Sequence, residues 1–213
     1  MRDMHCHILP GVDDGARDLD ESLAMLRAAK AAGITSITCT PHCRSPYFDF
    51  EAMWQAFYEL EDAAEGFPLQ MGFEVNYRKL MELGLEWAEV LHFDGSNEFL
   101  LELSVGARSS SYDDYERTIF ELQGMGDEVI IAHPERYGAI QRDLGLADEL
   151  VRMGCKLQCS TDFIAGGRFG VERRPAVKML KQGLVSYFAS DAHRVVHYDY
   201  FKKAHERYGH LLQ

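Results

Sequence analysis

Histidine, aspartate and glutamate residues recur at the ends of short apolar segments, and this pattern constrains the fold more than any other feature of the chain. The residues are His5-Cys6-His7, Asp13-Asp14, Thr40-Pro41-His42, Glu74, Glu102, His133 and Asp191-Ala192-His193. A polar residue that ends an apolar strand is seldom a core residue, so the repetition predicts strand ends that converge on one face. These side chains are the ligand types of Zn, Mn and Fe, and the pattern therefore indicates a multinuclear metal site in a hydrolase.

Apolar segments alternate with helical patterns along the whole chain. The predicted strands are Asp3–His7, Ser36–Thr40, Leu69–Val75, Glu98–Leu103, Glu128–Ala132, Lys156–Ser160 and Val185–Ala189. The predicted helices are Leu19–Ala32, Glu51–Glu65, Asp113–Gln123, Leu144–Met153, Val171–Gln182 and Tyr198–Tyr208. This alternation predicts parallel strands with helical crossovers. A barrel gathers residues from many strand ends at one site, whereas an open sheet has one switch point. We therefore predict a single domain, residues 1–213, with a distorted (β/α)7 TIM-like barrel.

The composition excludes several classes of protein. The net charge is −12, from 22 basic and 34 acidic residues, whereas a nucleic-acid surface needs clustered Lys and Arg. No segment approaches the roughly 20 apolar residues of a membrane span, and the first residues do not resemble a signal peptide. A cytoplasmic location is therefore expected. The cysteines form neither an even disulfide set nor a CxxC pair, which predicts reduced, buried thiols. Cys6 and Cys43 adjoin proposed ligands, so a role in metal binding stays open for both.

Two motifs place paired ligands on one face of a strand. His5 and His7 are two residues apart, and side chains two apart on a strand point the same way. Asp191 and His193 repeat this spacing at the end of the last predicted strand, which neighbours the first when a barrel closes. Carboxylates such as Glu74 in a barrel mouth are costly to bury unless a cation pairs with them.

The remaining candidates have simpler alternatives. Asp13 is read in the first place as part of a turn. Arg136 and Arg44 follow predicted ligands, where a guanidinium group can hold two phosphate oxygens, but surface salt bridges are the alternative. The glycine-rich segment 166–170 is interpreted as a loop beside the site. Cys43 is a poor candidate nucleophile, because the cysteine phosphatase motif needs Arg six residues later, where this chain has Asp49.

In this order, the segments MHCHILPGVDDGARDLDESLAML, TPH, GFEV, LLEL, AHPERY and SDAH resemble the PHP (polymerase and histidinol phosphatase) superfamily. Within it, the chain resembles the bacterial manganese-dependent protein-tyrosine phosphatases of capsule and exopolysaccharide operons. The resemblance extends from Met1 to about His193. It implies hydrolysis of phosphotyrosine, through hydroxide that metal ions generate from water near neutral pH. It also implies a phosphotyrosine-bearing protein, a bacterial tyrosine kinase, as the partner.

The resemblance also implies a ligand set for three divalent metal ions, with manganese favoured over iron or zinc. The first ion would be held by His5, His7, Glu74 and Asp191, the second by Glu74, Glu102 and His133, and the third by Asp14, His42 and His193. Arg136 matches the phosphate-contacting arginine of the family. His42 or His193 would protonate a poorer leaving group than a phenolate.

Two observations leave other functions open. Family members often carry an Arg-x-Pro segment after the Asp-x-His motif, whereas this chain continues Arg194-Val195-Val196-His197-Tyr198. A small-molecule phosphatase of the histidinol-phosphatase type is one alternative, although relatives of that type tend to have His at the position of Glu102. A metal-binding regulatory module that has lost catalysis is the other. The aromatic residues Tyr47, Phe48, Phe50 and Trp54 are predicted either to line a tyrosine-accepting rim or to pack a helix.

Overall fold

The computed structural model describes residues 1–107 and 111–212. The strands are β1 (Arg2–Cys6), β2 (Ser36–Cys39), β3 (His42–Cys43), β4 (Leu69–Met71), β5 (Glu74–Asn76), β6 (Glu98–Glu102), β7 (Glu128–Ala132), β8 (Lys156–Ser160) and β9 (Tyr187–Ala189). The helices are α1 (Leu19–Ala31), α2 (Phe50–Ala63), α3 (Tyr77–Leu83), α4 (Ala88–Leu91), α5 (Tyr112–Met125), α6 (Gly138–Arg142), α7 (Gly145–Arg152), α8 (Arg173–Lys181) and α9 (His197–Tyr208). Short 3-10 turns cover Leu85–Trp87, Pro134–Arg136, Thr161–Ala165 and Gly209–Leu211.

All the strand pairs are parallel, in the orders β1-β2-β4 and β3-β5-β6-β7-β8-β9. β3 continues the direction of β2 after a break at Thr40-Pro41, and β5 continues β4 after Gly72-Phe73. Bonds from Gly72 N to Cys39 O (2.9 Å) and from Glu74 N to Pro41 O (3.1 Å) join the two interrupted strands across their breaks. Together they give seven parallel strand lines, as the sequence predicts.

The sequence prediction of one unbroken strand over Leu69–Val75 is wrong in detail. Gly72 interrupts it, and a Cβ atom there would lie 2.4 Å from the ring of Phe93. The ring therefore packs against backbone, and this close approach separates β4 from β5. The break leaves Glu74 as the first residue of β5, paired in register with His42 of β3.

The sheet curls round until its first strand meets the segment after its last strand. Asp191 N donates to His5 O at 2.8 Å, and His7 N donates to Ala192 O at 2.9 Å. The buried Asp3 carboxylate accepts from Ser190 N at 2.8 Å and from Ser190 Oγ at 2.6 Å. These bonds confirm the distorted barrel and the predicted proximity of its first and last strands.

Two apolar layers hold the barrel. The larger lies between the strands and the helices, where α1 contributes Met25 and Leu26, and α2 contributes Leu60. The smaller consists of strand side chains that pack with one another and with Phe93, which precedes β6. Its buried members are Met4, Phe93, Leu100, Ile130, Ala132 and Ala189. Among the described residues, no helix combines the length and apolar character that a membrane span requires.

Helix boundaries follow local capping. The Asp18 side chain accepts from Glu21 N at the start of α1, and Asp49 accepts from Ala52 N at the start of α2. The helix predicted from Val171 begins two residues later, at Arg173. The reason is that the buried Glu172 carboxylate accepts from the backbone N–H groups of Phe169 and Val171, and thereby fixes the preceding loop.

We expect Asp3→Ala to lower the free energy of unfolding by about 1–3 kcal/mol, because it leaves the buried N–H of Ser190 unpaired and its hydroxyl with only the long bond to His5 O at 3.4 Å. Urea denaturation of the metal-free protein measures this. Asp62→Ala, which removes an exposed aspartate from α2, is the control. Equal midpoints and slopes for Asp3→Ala and the control would show that the bonds to Ser190 do not stabilise the closed barrel.

Candidate metal centre

The fold brings together all nine side chains predicted to be metal ligands. They form four overlapping groups, and within each group the donor atoms all lie within 4.8 Å of one another. The groups are His7, Asp14, His42 and His193; His5, His7 and Glu74; His5, His133 and Asp191; and Glu74, Glu102 and His133. Asp14 lies in the loop between β1 and α1, and the other members stand at or a few residues beyond a strand end. The geometry therefore agrees with the predicted convergence of strand ends.

Glu74 stands at the centre of the cluster, buried and surrounded by imidazoles. Its Oε1 lies 2.6 Å from His133 Nε2 and 3.5 Å from His5 Nε2. Its Oε2 lies 2.5 Å from His42 Nδ1 and 3.5 Å from His7 Nε2. One carboxylate thus links groups from both halves of the cluster, as a residue that bridges two cations would.

A more open group lies at the solvent side, around Asp14. Its Oδ1 is 3.1 Å from His42 Nε2 and 3.3 Å from His193 Nε2. In the described part of the chain, Asp14 Oδ1 and His193 Nε2 are buried without hydrogen-bond partners. Buried polar atoms normally have hydrogen-bond partners, so these two atoms need another partner. Because the group offers only carboxylate oxygens and imidazole nitrogens, it fits the coordination preferences of Mn, Fe or Zn.

The charges in the cluster depend on one another. Burial by itself would lower the pKa of His5, but the Glu74 and Asp191 carboxylates raise it to about 9. Burial likewise opposes protonation of His42, and Glu74 with Asp14 raises its pKa to about 9. Burial would raise the pKa of Glu74, but His42 and His5 hold it well below its usual range. Without metal, therefore, His5 and His42 carry positive charge that balances the carboxylates.

Neighbouring polar groups fix the orientation of the predicted ligands. Asp13 Oδ2 lies 2.8 Å from His7 Nδ1 and accepts from His42 N at 3.1 Å, while Oδ1 accepts from Gly15 N. The predicted turn at Asp13 is therefore present, and the same carboxylate also orients His7. A carboxylate behind a metal-binding imidazole fixes its tautomer and its ring direction.

Sequence reasoning missed two residues of β8 that touch the cluster. Gln158 Oε1 lies 2.9 Å from His5 Nδ1, and Ser160 Oγ donates to Asp191 Oδ2 at 3.2 Å. The signal was available, since two polar residues spaced by two at the end of a strand repeat the His5-x-His7 pattern. It was overlooked because neither amide nor hydroxyl is a preferred ligand of these metals.

Two of the predicted ligands have strained backbones. His133 has φ 33° and Asp191 has φ 47°, both in the left-handed region that residues other than glycine rarely adopt. Gly15 is required for a different reason, namely lack of space, since a Cβ there would lie 2.0 Å from the carbonyl oxygen of His7. The chain thus accepts local strain at strand ends and close backbone contact beneath His7, which together aim the side chains inward.

Arg136 lies at the edge of the cluster, buried and doubly paired. Nη1 is 2.6 Å from Asp191 Oδ2, and Nη2 donates to Asp162 Oδ2 at 3.1 Å. It lines a cavity of about 390 Å³, together with Asp162, Arg168, Arg194 and His193. The guanidinium group is thus held facing this cavity, and Asp162 is a contact that sequence reasoning missed. The surface salt bridge considered for Arg136 is excluded by its burial.

Other predicted candidates take different places. Arg44 Nη2 lies 2.9 Å from His42 Nε2, so it also borders the cluster. Arg194 Nη1 donates to the backbone oxygens of Asp14 and Gly15, and ties their loop to the segment after β9. From the predicted glycine loop, Gly167 and Arg168 reach the cavity of Arg136.

The aromatic residues divide between the two predicted roles. The Tyr47 ring stacks on the ring of His42, with centroids 5.9 Å apart, so it lies beside the cluster. Phe48 and Phe50 pack on Phe73 instead. Trp54 packs on its helix neighbour Phe57.

The cysteines lie outside the cluster. All five are buried and none forms a disulfide within the described residues. None of them belongs to the four groups of candidate ligands found among those residues. Burial raises the pKa of the Cys43 thiol to about 12 and that of Cys6 well above its usual value. Both thiols are therefore neutral near pH 7, which agrees with the prediction that Cys43 is not a nucleophile.

Comparison with known proteins identifies the family. Residues 1–199 match the family described as capsular polysaccharide synthesis, CpsB/CapC. The chain belongs to this family. It is 33% identical to the tyrosine-protein phosphatase YwqE of Bacillus subtilis over 202 residues, which cover 92% of this chain and 78% of YwqE. It is 28% identical to the tyrosine-protein phosphatase CpsB of Streptococcus pneumoniae over 206 residues, which cover 92% of this chain and 84% of CpsB.

A solved structure supports the same assignment. Crystal structures described as YwqE from Bacillus subtilis and CpsB from Streptococcus pneumoniae, unique metal-dependent tyrosine phosphatases, include a chain that superimposes with a TM-score of 0.81 at 29% identity. The match covers 99% of this chain and 89% of that chain. The resemblance inferred from the sequence motifs is therefore confirmed for the family and for the fold.

We expect Asp13→Ala to weaken manganese binding by roughly 10- to 100-fold, because a carboxylate behind a metal-binding imidazole contributes about this much affinity. Calorimetric titration of the metal-free protein with Mn²⁺ measures it. Asp62→Ala controls for the loss of one negative charge, and circular dichroism checks the fold. Unchanged affinity in a folded Asp13→Ala protein would show that His7 needs no support from Asp13.

We also expect metal binding to release protons. His5 and His42 have pKa values of about 9 in the metal-free chain, whereas a metal-bound imidazole must be neutral. Affinity should therefore rise with pH up to about 9. The stability of the metal-free fold should instead fall with rising pH. The protonated forms of His5 and His42 contribute their full stabilisation below pH 6.5, and this contribution is lost as the pH rises through about 9. Calorimetric titration with Mn²⁺ in buffers of different ionisation enthalpy measures the number of protons released on binding. Binding at pH 7 without release of protons would contradict these pKa values.

Proposed function

We propose that this protein is a metal-dependent tyrosine-protein phosphatase. One observation carries the proposal, namely nine carboxylate and imidazole side chains in overlapping groups with a buried arginine at their edge. The names of the relatives support the substrate class. Glu102, where histidinol-phosphatase relatives tend to have His, favours a protein substrate over a small metabolite.

The proposed centre would hold three divalent ions, with manganese favoured over iron or zinc. The first ion would be held by His5, His7, Glu74 and Asp191, the second by Glu74, Glu102 and His133, and the third by Asp14, His42 and His193. Such ions, when bound, stabilise developing negative charge and make water a nucleophile near neutral pH. The described groups support most of this set, because His5, His7 and Glu74 share one group, the three residues of the second ion form another, and those of the third ion share a group with His7. Asp191 is grouped with His5 and His133 instead, and its link to the first set is that Oδ1 lies 3.4 Å from His5 Nε2 and 3.2 Å from His7 Nε2.

The residues of the chain then have distinct tasks. Arg136 binds phosphate oxygens through guanidinium N–H groups, since Asp191 and Asp162 fix its plane at the cavity wall. A leaving group more basic than a phenolate would take its proton from a water at the solvent side of the cluster, because His42 and His193 are neutral while they hold the third ion. Cys43 forms no covalent intermediate, because its thiol is buried and neutral.

The proposed substrate is phosphotyrosine on a protein, and the proposed partner is a bacterial tyrosine kinase in the cytoplasm. Two features support a protein-borne group. The cavity of Arg136 reaches solvent through the exposed Arg168 and Arg194. Tyr47 and Tyr200 give aromatic surfaces next to His42 and within that cavity, respectively.

Phosphate release from a phosphotyrosyl peptide and from histidinol phosphate, each with Mn²⁺ and with excess chelator, tests the proposal. We expect turnover that prefers the peptide and falls to background with chelator. Preference for histidinol phosphate would move the function to small-molecule metabolism. No turnover on either substrate, with metal bound, would contradict a phosphatase and leave a regulatory role.

Cys43→Ala tests the alternative nucleophile more directly than alkylation, because reagents would not reach a buried thiol. We expect the variant to keep most of the wild-type turnover and the whole of its dependence on Mn²⁺. Cys159→Ala, which removes another buried thiol, is the matched control for packing. Abolished turnover in a folded Cys43→Ala protein, with a normal Cys159→Ala protein, would contradict the metal mechanism.

A further inference from the structure

A second cavity borders the metal centre on the side of α3. It has a volume of about 460 Å³ and is separate from the cavity of Arg136. Arg44, Arg78 and Lys79 line it, together with the hydroxyl groups of Ser45 and Ser104. Because Glu102 of the metal cluster also reaches this space, the second cavity, here called the α3 cavity, adjoins the proposed reaction site.

The α3 cavity gathers positive charge in a chain whose net charge is −12. Its two acids offset the three cations only in part, although Arg44 Nη2 also lies 3.6 Å from Asp14 Oδ2, outside the cavity. Glu102 accepts a hydrogen bond from Asn76 Nδ2 at 2.9 Å and is committed to the proposed metal centre. Glu82 has a 63% exposed side chain, 3.5 Å from Lys79, and such surface pairs are weak. Within the described residues no carboxylate pairs with Arg78, so the mouth of the cavity keeps a positive charge that attracts anions.

The two arginines stand at different depths. Arg44 lies deeper, with Nη2 at 2.9 Å from His42 Nε2 and Nη1 at 3.8 Å from Glu102 Oε1, so it marks the boundary with the metal centre. Arg78 is exposed, at the start of α3, and lines both this cavity and the next one along the surface. A guanidinium group at such an opening suits the planar, two-oxygen geometry of a carboxylate.

We propose that the α3 cavity binds the carboxylate of an Asp or Glu residue next to the substrate phosphotyrosine. This inference rests on the proposed function, since it concerns how the same site selects its substrate. The scissile phosphate occupies the metal centre and the guanidinium of Arg136, and the neighbouring acidic side chain extends past Arg44 towards Arg78. The protein then prefers phosphotyrosines in acidic segments, although its overall charge opposes them.

The test compares kcat/KM for phosphotyrosyl peptides that differ only in the residues on either side, Glu in one and Gln in the other. With Mn²⁺ at low salt, we expect the Glu peptide to be preferred by roughly 1.5- to 5-fold, as for a solvent-exposed ion pair. The preference should shrink in high salt, because salt screens such charges. Arg78→Gln should bring the ratio close to one. Arg27→Gln, which removes an exposed arginine from α1, should keep the wild-type ratio.

Each outcome decides between the proposals. Equal kcat/KM for both peptides in the wild type, or an unchanged preference in Arg78→Gln, would overturn this inference and leave the phosphatase proposal standing. No turnover of either peptide would overturn both. If Arg78→Gln lowers the denaturation midpoint, Lys79→Gln provides the same ratio test, and an unchanged ratio there would likewise overturn the inference.

Discussion

The burial of the Glu74 carboxylate among four imidazoles is the constraint on which the site depends. Its two oxygens lie 2.5–3.5 Å from ring nitrogens of His5, His7, His42 and His133, which come from three different strand lines or their ends. A buried charge is tolerated only when it is paired, so these strands cannot shift without leaving charge unbalanced. The metal-free chain provides the pairing with protonated histidines, and the proposed cations would replace those protons. The same electrostatic requirement thus links barrel geometry, metal affinity and pH.

Around this centre, side chains that touch no proposed cation hold the candidate ligands in position. Asp13 contacts His7, Gln158 contacts His5, and Ser160 with Arg136 contacts Asp191. Each fixes a direction for a ring or a carboxylate, and directional support of this kind lets a metal site form without reorganisation. Arg136 also lines the cavity beside the centre, so the carboxylates of Asp191 and Asp162 hold its guanidinium group at the cavity wall. The α3 cavity adds a second charged surface next to the centre, with Arg44 between them.

The sequence predicted the fold correctly where an apolar segment with a polar residue at its end was the dominant pattern. β7 and β8 have the predicted bounds, because apolar segments ended by polar residues read clearly as parallel strands. The prediction failed at β4 and β5, where Gly72 allows the ring of Phe93 to approach the backbone. That approach joins residues distant along the chain and leaves no periodic signal. The short helices α3, α4 and α6 were missed for a related reason, since at four to seven residues they are too short to show a helical period.

By itself, the sequence determined the types of donor in the centre and the strand ends that carry them. The pairing of donors in His5-x-His7 and Asp191-x-His193 can be inferred from the local sequence, because side chains two residues apart share a face of a strand. Only the tertiary structure decided which groups surround those donors. Asp162 beside Arg136, and Arg78 beside the α3 cavity, are ordinary charged residues in the sequence, and their roles depend on where closure of the barrel places them. The physical reason is the distance along the chain over which each effect acts. Strand periodicity relates residues two positions apart, whereas charge pairing acts through space between residues that are far apart in the chain.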